Sequence, residues 1–303
     1  MNVLSLFDGK SSGFTACELA GIEVGTYYSA EIDKYAIKVS DAIHPNQMRL
    51  GSVTEWRDWD VDWSSIDMIF GGFPCQAWSV AGKQLGDKDE RGMLFWTMLD
   101  IMKHVRHHNP KADFLIENVK MKKEFEEYIT HHMENAVGDV HKVLINSALV
   151  SAQNRNRYYW TSFPVTQPED RGLVLKGILE PSDGIEDCFY YSEKSIAYME
   201  RGNDKWMQAG ACRADRYTQT SKDSKSFTLT ANMHKGVPYN YFMDDNGEYR
   251  KKTLRECFRL QTVPERYIDK ILSCGVSNSQ LYKIAGNGWT DEVIAHILRY
   301  MEV

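Results

Sequence analysis

Cys75 stands between Pro74 and Gln76 in Gly71-Gly72-Phe73-Pro74-Cys75-Gln76, directly behind the apolar run Met68-Ile69-Phe70. A thiol at the end of a buried strand, locked by proline and flanked by glycine, can be held out to a substrate as a nucleophile. The commoner fate of a free cysteine is as a small buried hydrophobe, and Pro-Cys alone does not separate the two. Asp8, Glu31 and Glu117 each follow an apolar run as well. Carboxylates so placed can hydrogen-bond a ligand or sit in structural ion pairs. A common active site requires a scaffold that gathers these four residues from across the chain.

The first half of the chain supplies such a scaffold. Residues 3–7, 24–30, 66–70, 113–116 and 141–149 read as strands, alternating with helical stretches at 13–20, 34–43, 93–106 and 121–135. That alternation predicts an α/β fold, a Rossmann-like doubly wound sheet with helices on both faces. Ligands of such sheets gather at the carboxyl ends of the strands. The pattern therefore predicts that Asp8, Glu31, Cys75 and Glu117 are neighbours in space. After about residue 165 the text becomes irregular and proline-rich up to about 270. There Arg201, Lys205, Arg213, Arg216, Lys222, Lys225 and Lys235 mix with Trp206, Tyr217, Tyr239 and Tyr241. Interleaved cations and aromatics suit phosphate contact and base stacking, or simply a solvated loop surface. From residue 280 helical periodicity returns, with an apolar stripe at 293, 294, 297, 298 and 301.

Composition narrows the classes. The 303 residues are 43% hydrophobic and 26% charged, as in ordinary globular proteins. No apolar run approaches a membrane span, and the first residues read as a strand rather than a secretory leader. Cysteines 17, 75, 188, 212, 257 and 274 form no Cys-x-x-Cys pair, which speaks against structural zinc and a disulfide framework and for a reducing, cytoplasmic setting. A formal charge of −6 means that contact with nucleic acid must come from a local basic face.

Read together and in order, Phe7-Asp8-Gly9, Pro74-Cys75-Gln76, Glu117-Asn118-Val119, Gln153-Asn154-Arg155-Asn156-Arg157, Arg255-Glu256-Cys257 and Gly286-Asn287-Gly288-Trp289 resemble the DNA (cytosine-5) methyltransferases. The resemblance implies a cofactor, S-adenosyl-L-methionine, and a double-stranded DNA partner. It implies a catalytic domain of residues 1–165 plus 280–303 and a target-recognition domain of 166–279. Cys75 would attack C6 of cytosine, making C5 enamine-like. Glu117 would bond N3 and the exocyclic amine, Arg157 would hold O2, and Arg155 would approach the cysteine. Phe7 would pack on the adenosyl group, with the backbone of Asp8, Gly9 and Gly13 at the methionine moiety. Glu31 would accept the ribose hydroxyls and Ile32 would lie against adenine. Ser52 and Val53 would serve the adenine side, Asn287 and Trp289 in the Gly-Asn-Gly-Trp turn would close over the methionine end, and Pro74 and Leu94 would complete the wall. Gln76, Ser79, Thr228 and Arg255 would touch DNA. Residues 77–92 would act as a lid that closes once the target base is extruded from the helix. A monomer is expected.

Two positions depart from the family pattern. Lys10 stands where the first turn is usually small or apolar, and Ser52 where many members carry aspartate. Lys10 could face solvent, pair with the cofactor's own carboxylate, or admit a carboxylated cofactor analogue and carboxymethyl transfer. The chain could also be a tRNA cytosine methyltransferase or a catalytically weak DNA-binding homologue. Intact Cys75, Glu117, Arg155 and Arg157 oppose the weak homologue.

Overall fold

A computed structural model describes residues 1–74, 92–198, 201, 218, 219, 221–234 and 240–301. The chain divides into two compact units: Met1–Asn146 with Asn156–Pro168 and Asp291–Val303, and Ser147–Arg155 with Glu169–Thr290. The expected division differs from this in three places, one of them the short stretch 166–168, which falls with the first unit. Residues 147–155 and 280–290 belong with the second unit, for reasons that lie in its buried hydrogen bonds.

The first unit is built on a seven-stranded sheet in the order β3-β2-β1-β4-β5-β7-β6. Its strands are β1 (Val3–Leu6), β2 (Tyr27–Ala30), β3 (Met48–Arg49), β4 (Met68–Gly71), β5 (Asp113–Val119), β6 (His141–Asn146) and β7 (Asn156–Thr161). β7 alone runs antiparallel to its neighbours β5 and β6. No strand was expected at 156–161, because its start is the charged run Asn-Arg-Asn-Arg. The strand forms because Tyr159 and Trp160 are buried, and the Trp160 indole N–H donates to Thr130 Oγ1 at 2.8 Å. Helices α1 (Ser12–Ala20), α2 (Lys34–Ile43), α3 (Met93–His108) and α4 (Lys123–Val137) cover the sheet. α3 buries Phe95, Met98, Leu99, Met102 and Val105, the i, i+3, i+4, i+7 spacing of one helical face. Phe95, Phe114, Ile116 and Ile69 are fully enclosed in one apolar cluster. Truncating any of these side chains would cost about 2–5 kcal/mol.

The second unit carries a small sheet, β8 (Thr218–Gln219), β9 (Asn240–Met243) and β10 (Tyr249–Arg250), and helices α5 (Leu254–Leu260), α6 (Glu265–Ser273) and α7 (Asn278–Asn287). Regular helix therefore occurs inside the stretch expected to be irregular, at 193–198 and again from 254. A capping box explains the start at 254: Thr253 accepts from the Glu256 N–H and Glu256 accepts from the Thr253 N–H. The same Glu256 takes a buried, two-pronged bond from Arg250 at 2.7 and 2.9 Å. α8 (Asp291–Leu298) returns to the first unit, where it packs along α1.

Candidate active site

Four of the expected site residues cluster at the turn that follows β1. Phe7, Gly9 and Ser11 all have positive φ, at 58, 60 and 62°. For phenylalanine and serine that conformation costs on the order of 1 kcal/mol each, so something must hold the turn. The anchor is Asp8, whose side chain is wholly buried. Its Oδ1 accepts from Ser5 and Tyr27 hydroxyls at 2.6 and 2.8 Å, and its Oδ2 from Ser11 and Ser29 at 2.5 and 2.7 Å. All four acceptor positions of the carboxylate are filled, and burial beside this carboxylate pushes the Tyr27 phenol well up from its ordinary range. Only the backbone of Asp8 is left for a ligand. Gly13 performs a packing role: a Cβ there would lie 2.4 Å from the Phe70 ring and 2.9 Å from the Tyr27 hydroxyl.

Glu31, at the end of β2, also stabilises the turn. Its Oε2 accepts the Gly9 N–H, and its Oε1 accepts the N–H groups of Ile32 and Asp33, each at 2.8 Å. One acceptor position of the four remains. Beside it the Ile32 side chain is 75% exposed, a bare apolar surface next to a carboxylate. At Gly9 nothing lies within 4 Å of where a Cβ would sit. An open cradle, an unfilled carboxylate position and an exposed aliphatic face fit a nucleoside with a ribose diol. Ser52 instead caps the short 3-10 helix Val53–Asp58 through the Thr54 N–H at 3.2 Å, and Val53 is buried. Leu94 is half-buried against the core.

Lys10 takes none of the three expected courses. Its side chain is fully enclosed and bonds both carboxylate oxygens of Asp291, at 2.8 and 2.9 Å. It faces neither solvent nor a cofactor carboxylate, so the carboxylated analogue loses its motivating observation. Asp291 opens α8, and nothing in its sequence context marks it for this role. Burial raises its carboxyl pKa, and Lys10 and Ser12 oppose that shift.

Glu117 and Arg157 meet. β5 and β7 pair with Val119 opposite Arg157 and Glu117 opposite Tyr159, which puts Glu117 and Arg157 on one face as diagonal neighbours. Arg157 Nε lies 2.9 Å from Glu117 Oε1, with 13 and 12% of the two side chains exposed. Asn118, expected only as a letter of the motif, acquires a definite task. It points to the opposite face, is 1% exposed, and donates from Nδ2 to the Phe73 carbonyl at 3.1 Å. Phe73 is buried against Phe95, ring centroids 5.1 Å apart. The stem of the Pro74-Cys75 segment is thus tied to the strand that carries Glu117. Cys75, Gln76, Ser79 and residues 77–91 of the expected lid lie outside the described residues.

Arg155 belongs to the second unit and serves as a clamp there. Only 3% exposed, it donates to the carbonyls of Leu229, Gly286 and Gly288 at 3.1, 3.2 and 2.8 Å. Gln153 and Gln261, both fully buried, extend the lattice. Gln153 Nε2 donates to the Leu260 carbonyl at 2.7 Å, and Gln261 Nε2 to the Ala285 carbonyl at 2.6 Å. Gly286 packs so closely that a Cβ would fall 2.2 Å from the Thr230 carbonyl carbon. These bonds are why residues 147–155 and 280–290 cohere with this unit. In the same unit, Asn287 is exposed and Trp289 half-buried.

Two of the residues expected to touch DNA, Arg255 and Thr228, are bonded within the protein. Arg255 is held by three carboxylates, Glu265 and Asp269 at 2.7 Å and Glu180 at 3.4 Å. Three negative charges around one guanidinium repel a phosphate rather than attract it. Thr228 donates its only hydroxyl proton to the Asn154 carbonyl at 2.5 Å, leaving none for a phosphate oxygen. Lys225 donates to the Ala148 and Ser151 carbonyls, and Lys222 pairs with Asp245. Lys205, Trp206, Arg213, Arg216, Tyr217, Lys235 and Tyr239 lie outside the described residues.

Comparison with known proteins identifies the family. The family model described as C-5 cytosine-specific DNA methylase matches residues 1–183 and 180–302. The Type II methyltransferase M1.ScrFI of Lactococcus lactis subsp. cremoris is 31% identical over 92% of this chain and 71% of its own. M.HhaI of Haemophilus parahaemolyticus is 27% identical over 99% of this chain and 93% of its own. Among solved structures, Entamoeba histolytica methyltransferase EhMeth superposes with a TM-score of 0.77 at 15% identity, covering 99 and 97% of the two chains. A Spodoptera frugiperda DNMT2 mutant does so with 0.72 at 20%, covering 99 and 98%. These structures speak to the fold alone. No helix among the described residues is long and apolar enough to cross a membrane.

Proposed function

The chain belongs to the C-5 cytosine-specific DNA methylases, and from that premise we propose that it methylates a cytosine extruded from duplex DNA through a covalent bond between Cys75 and C6. The family implies S-adenosylmethionine, which supplies an electrophilic methyl group. The observation that carries the reading is the double use of Glu117-Asn118-Val119. One face presents Glu117 paired to Arg157; the other ties down the stem of the cysteine segment.

The Cys75 thiolate adds to C6 and the ring electrons move toward N3 and C5. Glu117 bonds the N3 edge and stabilises that shift, and Arg157 leaves its ion pair in part to hold O2. A charge-assisted bond of this kind contributes about 1.5–3 kcal/mol. Once C5 carries the methyl group, loss of its proton expels the thiolate and restores the aromatic ring. The turn at Phe7–Gly9 holds the methionine end of the cofactor by backbone groups. Glu31 accepts one ribose hydroxyl at its remaining position, or two if the Gly9 N–H is released, with Ile32 against the base.

Duplexes containing 5-fluorocytosine test the proposal, because fluorine cannot leave as the proton does and the adduct persists. Mass spectrometry is expected to find the modified nucleotide on Cys75, and Cys75→Ser is expected to bind DNA without forming it. Turnover of ordinary duplex with no adduct at Cys75 would refute the covalent route.

A further inference from the structure

The turn that meets the cofactor contains a lysine, and cofactor and lysine are both cations. Lys10 lies between the positive-φ residues Gly9 and Ser11, yet its side chain is directed into the protein, where both oxygens of Asp291 receive it. The pair is enclosed on both sides. Burying two charges is expensive, and two apolar side chains would pack the same space at equal or lower cost. We propose that Asp291 is a specificity-determining residue: by holding and neutralising Lys10 behind the cofactor turn, it keeps that turn from disfavouring a sulfonium nucleoside relative to the neutral thioether left after methyl transfer.

This role presupposes the proposed methyl transfer and follows from charge. Without Asp291, the lysine either stays buried and unpaired or swings outward to the turn surface. Either way a positive charge acts on whatever occupies the turn. A sulfonium feels that charge and a thioether does not. A lysine whose only role is to latch α1 to α8 predicts otherwise, since loosening the turn weakens both ligands alike.

Calorimetric titration of the full chain with S-adenosylmethionine and, separately, S-adenosylhomocysteine reads the ratio of the two affinities without DNA or turnover. D291N is expected to shift the affinity ratio about tenfold toward the thioether, the scale of one unneutralised charge nearby. D291E is expected to restore it, and the apolar pair K10M/D291V to keep the wild-type ratio. An unchanged ratio in D291N overturns the proposal and leaves the pair as a latch. Should D291N not fold, K10M decides at pH 8.5: a ratio shifted toward the sulfonium supports the proposal, and an unchanged one overturns it. Wild-type protein that binds neither ligand would instead remove the proposed methyl transfer, and this inference with it.

Discussion

Two buried polar centres hold the two units, and they are built in opposite senses. In the first unit one carboxylate, Asp8, gathers the hydroxyls of Ser5, Ser11, Tyr27 and Ser29. In the second, one guanidinium, Arg155, gathers the carbonyls of Leu229, Gly286 and Gly288. The hydroxyl centre fixes side chains and, through them, an unfavourable turn. The carbonyl centre fixes main-chain segments directly. Buried charge positions backbone in both, but the first can be undone at its donors one by one, whereas the second stands or falls with a single residue.

The most damaging change is expected at the first centre. Asp8→Ala would take the acceptor from four buried hydroxyls, of which Ser11 keeps Ser40 and Gln47 as partners, and would free the strained turn, at a cost of about 4 kcal/mol. Urea denaturation measures it; a loss under about 1 kcal/mol would make the hydroxyl centre decorative. The second unit has a charge sensitivity of its own. Burial pulls the Lys252 amine down from 10.5 to about 8, with Cys257 and Glu256 opposing. The folded state therefore holds this proton less tightly than the unfolded chain does. Stability gains from this group as pH rises from 8 to 10.5, by about 3 kcal/mol, and this group changes nothing below that window. Cys257, pushed up from 9.0 to about 12 by burial, pulls the other way above its ordinary value. The difference in urea midpoint between wild type and Lys252→Met across that window isolates the lysine. A constant difference would show that Lys252 does not titrate there.

Smaller effects sharpen the contrast between the two arginines of Asn154-Arg155-Asn156-Arg157. Arg155→Lys keeps the charge and loses the planar fork, so unfolding free energy is expected to fall by about 2 kcal/mol. Arg157→Lys, partly exposed in its pair with Glu117, is expected to change stability by less than about 0.5 kcal/mol while lowering methyl transfer at least tenfold. Equal destabilisation by both would erase the distinction. The mildest change is Asn118→Ala, expected to cost about 1 kcal/mol in stability and several-fold in kcat with cofactor affinity unchanged. Rapid-quench assays with labelled cofactor separate the two.

Much of the first unit was legible because burial writes itself as periodicity. The runs ending at Asp8, Glu31 and Glu117 became strands β1, β2 and β5, and α2 matched its expected bounds at Lys34–Ile43. What stayed hidden had no period. Lys10 and Asp291 are 281 residues apart. Gln153 and Gln261 look like surface residues until the carbonyls they serve are known. The carboxylates that hold Arg255, Glu265 and Asp269, belong to the following helix, and nothing in the spacing says which way the side chain turns. Gly286 read as part of a closing turn, and its tightest constraint comes from the backbone of Thr230.

β7 runs against the grain of the sheet, and this changes where to search for functional residues. In a parallel strand the useful side chain is the last one; here it is the second, since Arg157 sits opposite Val119 at the far end of β5. A reader who inspects only strand endings would stop at Trp160 and Thr161, on the wrong rim. An inverted strand therefore brings a functional group to the working edge from its own beginning.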